Sequence, residues 1–122
     1  MLHARPAVRY VMEMARSALL LFVVVACGYP KAGPPPGRLA LTAVEAARVR
    51  FPAVTAESLE AGRQTFVHRC NGCHKHPALG AYSDPEWQAI VPRMGGKAKL
   101  SSVESEQVLQ FVLAARIDQR SL

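Results

Sequence analysis

At 122 residues and a formal net charge of +6, the chain has room for one folded domain at most. Its three cysteines are an odd number, which excludes a framework made only of disulfides. The basic excess shows no long charge run and no basic–aromatic interleaving, which argues against a nucleic-acid binder. Residues 1–26 have the form of an export signal. Arg5, Arg9 and Arg16 precede an uncharged apolar run from position 18 to 26, of signal-peptide length. A spanning helix needs about 20 apolar residues, more than this run offers. The basic region is long and contains Glu13, and a start at Met12 or Met14 would leave a more compact signal.

The run closes in Val24-Val25-Ala26-Cys27, which resembles the lipobox of bacterial lipoproteins. The resemblance implies cleavage before Cys27, lipidation of that residue on sulfur and on its new amino terminus, and a membrane anchor. Three acyl chains exceed the two signals that stable anchoring takes. The alternatives are an ordinary signal cut nearby, which leaves Cys27 a free thiol, and an uncleaved signal anchor. Gly28 stands where some lipoproteins carry an inner-membrane retention aspartate, which points to the outer membrane and to a periplasmic location. The mature chain, 27–122, carries 12 basic and 8 acidic residues, a net charge of about +4, enough to steer docking to an acidic redox partner.

Residues 28–37 are rich in Pro and Gly and are expected to form an extended tether rather than a helix. Positions 43–49 suit a short helix that Pro52 would interrupt. The segment 27–54 therefore reads as a lipidated terminus, tether and lead-in, with a folded domain over 55–122. In that domain Leu59, Gly62, Phe66 and Cys70 recur at helical spacing on one face. Gly62 in a helix interior costs about 1 kcal/mol relative to Ala, so it calls for a packing reason.

The first helix leads into Cys70-Asn71-Gly72-Cys73-His74, the C-x-x-C-H attachment signature of a c-type haem. Two thiols three positions apart lie on nearly the same side of a helical turn and reach the two vinyl groups of one porphyrin. The histidine that follows is then placed to ligate the iron. A C-x-x-C pair also occurs as a redox disulfide on thioredoxin-like folds, but no strand–helix–strand pattern surrounds this one. It also occurs as half of a zinc site, with His68 and His76 as conceivable partners, or as a structural disulfide. The immediate histidine favours haem.

Ser83-Asp84-Pro85-Glu86 signals a second helix, capped either by Ser83 with Glu86 closing a box or by Asp84 with Pro85 next. It is expected to carry Trp87, Ile90 and Val91 inward and to end near Gly95-Gly96. A third helix opens at Ser101 with Glu104 as box partner and shows Val108, Phe111, Val112 and Ala115 on one face, to about Ile117. No convincing strand appears. The expectation is a small all-α domain of about three helices around one covalently bound haem.

From about Leu59 onward the chain resembles a small monohaem cytochrome c of the class I type. In that family a glycine and an aromatic lie eight and four residues before the first haem cysteine, as Gly62 and Phe66 do here. The resemblance implies that Gly62 lets the first and last helices cross closely, with Phe111 or a neighbour packed into the contact. The stretch Trp87-x-x-Ile90-Val91-x-x-Met94, followed by Lys97-x-x-Leu100-Ser101, is similar to that of many short periplasmic cytochromes. The family's second axial ligand is a methionine. Met94, the only methionine after the signal, would fill that role just beyond the second helix. His68, His76 and Lys97 are its competitors, and the alternative is that Met94 is simply core. The Pro77 carbonyl is a candidate acceptor for the proximal histidine's second nitrogen. The reading that follows is a non-enzymatic, monomeric one-electron carrier with iron held by His74 and Met94, anchored at Cys27 and serving redox partner proteins. A haem-based gas sensor, with the sixth ligand labile or absent, is the alternative.

Overall fold

Helix starts in this chain are written in short side-chain caps. Thr55 Oγ1 accepts the Ser58 N–H at 3.1 Å while Ser58 Oγ accepts the Thr55 N–H at 3.0 Å. Glu86 takes both the N–H and the hydroxyl of Ser83 at 2.7 Å. Ser101 and Glu104 exchange the same reciprocal pair at 2.8 and 3.2 Å. Such caps satisfy N–H groups that have no partner within the helix. The computed structural model describes residues 32–71 and 75–120. Among these residues the helices are α1 (Leu41–Arg50), α2 (Ala56–Arg69), α3 (Asp84–Lys97) and α4 (Ser102–Arg120), with a 3-10 turn at Leu79–Ala81 before α3. The described part is all-α. Its one extended pairing is an isolated bridge between Ala32 and Pro77.

The helices number four among the described residues, against an expectation of about three. The addition is α1, and it belongs to the packed body rather than to a lead-in. Ala43, Val44 and Ala47 are buried along it, and Val54 follows. Pro52 falls after the last turn of α1 instead of inside it, so nothing breaks the helix. The packed body therefore includes α1, ahead of the expected boundary near Thr55. Ser83, not Asp84, is the N-cap of α3. The Asp84 carboxylate is turned to other use. It accepts Arg50 Nη1 at 2.7 Å and Arg116 Nε at 2.8 Å, which ties α1, α3 and α4 together.

α4 lies at the centre and packs on α1, α2 and α3. Val108, Phe111, Val112 and Ala115 are all buried on it, as their spacing predicts. The closest approach is to α2 at Gly62. A Cβ there would stand 2.1 Å from the Gln107 carbonyl oxygen and 3.1 Å from Phe111 Cβ. This is the packing reason the glycine called for. Phe66, one turn on, meets Trp87 edge-on at 6.3 Å and Phe111 at 6.2 Å. Trp87 Nε1 donates to the Leu79 carbonyl at 3.0 Å, so the indole is buried without an orphaned polar atom.

α3 runs past the expected stop at Gly95-Gly96 to Lys97. Gly95 is a packing glycine, since a Cβ would sit 2.8 Å from Ser105 Oγ of α4. The helix ends two residues later in a Schellman motif: Leu100 N–H bonds to Gly95 O at 2.9 Å and Lys99 N–H to Gly96 O at 3.2 Å. Lys99 occupies the left-handed position of that motif, with φ of 55°. A side chain there is strained, whereas glycine is not. Lys99→Gly is expected to stabilise the domain by about 0.5–1 kcal/mol, read as a rise of several degrees in Tm. An unchanged or lower Tm would count against this assignment.

Candidate cofactor site

Cys70 ends α2, with its N–H on the Phe66 carbonyl at 3.3 Å. The same carbonyl accepts the Nε2–H of His76 at 3.0 Å, and the His76 ring stacks on Phe66 with centroids 5.0 Å apart. His76 is 5% exposed. The chain therefore leaves at Cys70 and returns at His76 to one carbonyl, so the start and the end of the motif loop are fixed by the last turn of α2. The sequence offers His76 as an iron or zinc ligand. Its Nε2 is instead committed to this bracket, and His68 is exposed on α2 and lines no part of the cleft described next.

Beside Cys70 opens an apolar cleft of about 410 Å³, within the usual range of ligand sites of about 300–1,000 Å³. Phe66, Trp87, Ile90, Val91 and Val108 form its walls, Pro77 lies along it, and Arg69 and Lys97 bring charge to it. Met94 also lines it. Trp87, Ile90, Val91 and Met94 recur at three- and four-residue intervals, which places them along one face of α3. Met94 is therefore in the last turn of α3, one turn from the Schellman stop, and not beyond the helix as expected. The structure thus brings Cys70, Met94 and Pro77 to one cleft. Cys73, His74 and Cys27, with the signal expected over residues 1–26, lie outside the described residues.

Arg69 holds the two sides of this cleft in register. Its Nη2 donates to the Ala98 carbonyl at 2.9 Å and the Lys99 carbonyl at 3.3 Å, and its Nη1 to Glu104 at 3.0 Å. The residue next to Cys70 is thereby fastened to the turn that follows Met94. Nothing in the local sequence signals this contact, because its partners lie 29 to 35 positions away.

Burial pushes the Cys70 thiol pKa above its ordinary value, only partly offset by the neighbouring Arg69 charge. Redox-active and nucleophilic cysteines need the opposite, a thiolate favoured at neutral pH. The setting does not favour a disulfide-exchanging thiol. A second hollow, of about 190 Å³ near Leu39, Leu59 and Glu60, is less than half as large and lies away from the motif. No described helix is long and apolar enough to cross a membrane. No family model, curated protein or solved structure matches the chain.

Proposed function

We propose that the chain is a one-electron carrier: a membrane-anchored c-type cytochrome that passes electrons between periplasmic or membrane redox partners. The observation that carries the reading is the apolar cleft that Cys70, the first residue of the C-x-x-C-H motif, shares with Met94. Cys70 and Cys73 would hold the haem as thioethers, and His74 and Met94 would be its axial ligands. When bound, the haem supplies a ferric/ferrous couple that takes up and releases a single electron.

The chain's own residues suit that cofactor. Phe66, Trp87, Ile90, Val91 and Val108 offer an apolar bed that keeps water from a flat hydrophobic ring, and a low-dielectric surround of this kind tunes a redox centre. Sulfur as the second axial atom favours the reduced state more than a second nitrogen would. Arg69 keeps the turn after Met94 at a fixed distance from Cys70. Among the described residues lining the cleft, Arg69 and Lys97 are the charged ones, cations available to pair with the acidic groups of a cofactor. Cys27 would anchor the domain on the periplasmic side of a membrane, with a mild net charge of about +4 on the mature chain available to steer an acidic partner.

The test is spectroscopic. The chain is produced with an export and haem-attachment system, and its haem is assayed for covalent retention after acid–organic extraction. One haem per chain is expected, together with the weak long-wavelength band that thioether ligation gives to ferric haem. In Met94→Ala that band is expected to vanish and the reduced form to bind CO readily. A wild-type protein that lacks the band and binds CO at once would shift the reading to a gas-binding haem protein. A chain that emerges without haem would end it.

A further inference from the structure

The Pro/Gly-rich segment ahead of α1 is not a free tether over its described length. Gly33 N–H donates to the His76 carbonyl at 3.0 Å, and Ala32 pairs with Pro77 in the antiparallel bridge. Gly33 is pressed so closely on this loop that a Cβ would stand 2.6 Å from Ala78 Cα. Farther along, Arg63 Nη1 donates to the Pro36 carbonyl at 3.2 Å. The segment is a strap, fastened to the loop that carries Pro77 along the cleft and to α2.

The strap shortens the reach of whatever holds the chain at Cys27. Four residues separate Cys27 from Ala32, so at about 3.5 Å per residue Ala32 stays within about 18 Å of the anchor, and the loop it bridges lies one strand spacing, about 5 Å, farther. A segment free as far as Leu41 would allow about 50 Å. The two segments so joined carry no charge of their own: neither 32–37 nor 76–83 contains a Lys, Arg, Asp or Glu, and the exposed Arg38 and Lys75 stand at their edges. Ala32, Pro34, Pro35, Gly80 and Ala81 are exposed on them.

We infer that this strap-and-loop surface rests against the bilayer that anchors the chain, so that the cleft is held beside the membrane. The inference rests on lipidation of Cys27, and its labelling test also on the haem attachment proposed above. Resting small uncharged residues on a bilayer surface removes no charge from water, whereas the faces that carry the arginines and lysines would have to desolvate them. The electron partners of a carrier held this way are those that present their redox groups at the membrane surface.

Arg116 binds the Leu79 carbonyl, which places the loop at the C-terminal end of α4. Val103, exposed at the other end, is about 20 Å away along that helix. These positions supply a probe and its control. With Cys70 and Cys73 consumed by haem and Cys27 by acylation, Ala81→Cys and Val103→Cys each offer one reactive thiol for a benzophenone label. In phosphatidylcholine vesicles, photolysis of the lipidated holoprotein is expected to give several-fold more lipid adducts from position 81 than from position 103. Ten Gly/Ser residues inserted between Lys31 and Ala32, which leave the strap intact, are expected to reduce the yield at 81 several-fold. Gly33→Leu, which unfastens the strap, is expected to do the same. Equal yields at 81 and 103, or a yield at 81 that the insertion leaves unchanged, would overturn the inference. So would lipid-free protein adducts at 81 formed only in native membranes, which would assign the surface to a protein partner. Palmitate labelling separates the two layers: a palmitoylated chain with equal yields loses the surface alone, and a chain that takes up no palmitate and does not sediment with vesicles loses the anchor and the surface together.

Discussion

Gly62→Ala is expected to destabilise the domain by about 2 kcal/mol or more, against the usual direction of this substitution. In an open helix the change gains about 1 kcal/mol, because alanine loses less backbone freedom than glycine on folding. At Gly62 the added carbon would meet the backbone carbonyl of Gln107 at 2.1 Å. A helix backbone cannot step aside as the end of a side chain can, so α2 and α4 must separate. Overpacking of this kind costs about 1–3 kcal/mol, and separation also loosens Phe66 from Phe111 and Trp87. Gly96→Ala in α3 is the matched control, because nothing stands within 4 Å of a Cβ there. Urea midpoints should move in opposite directions for the two variants. Two shifts of the same sign would remove the close crossing from the account of this fold.

The second large effect is expected from Cys70→Ser/Cys73→Ser. The double variant should retain no covalent haem, and its far-UV helical signal should fall well below that of the holoprotein, without a cooperative urea transition. The reason is the cleft. Without the cofactor the walls of the cleft, Phe66, Trp87, Ile90, Val91 and Val108, lose their apolar cover, and a domain this small has a margin of only a few kcal/mol. The remaining core of Trp87, Phe111, Leu59 and Leu113 leaves little in reserve. Near-native helicity with a sharp transition in the double variant would mean that the four helices stand without a cofactor.

What was legible beforehand follows from the range of each interaction. The capping pairs at Ser83 and Ser101 act over three residues, so the starts of α3 and α4 could be read locally. The buried faces of α2 and α4 follow from helical spacing, and Gly62 is conspicuous because glycine is a poor helix former. The role of α1 was not legible, since Ala43 and Ala47 are too small to announce a buried face and only their tertiary neighbours make one. Gly95-Gly96 read as a stop because glycine commonly ends helices, yet here one of the pair is needed for contact with Ser105. Met94 moved into the helix with it. The bracket at His76 and the Arg69 clamp join residues 10 to 35 positions apart, and no local pattern encodes them. The five-residue motif was the clearest signal in the chain, and of its residues Cys70 and Asn71 are among those described.

The central place of α4 sets an order on how the protein is made. Val108 of this last helix is a wall of the cleft, and α2, which presents Cys70, is seated on Gln107 and Phe111. Synthesis runs from the N terminus, so Cys70 emerges about 40 residues before the surface that supports it. The cleft is complete only when nearly the whole chain has appeared. On the proposed reading, a cofactor joined earlier would wait without its bed, and that bed would order around it only once Gln107 and Phe111 have appeared. Completion of the fold would thus be timed by α4, not by the emergence of the motif.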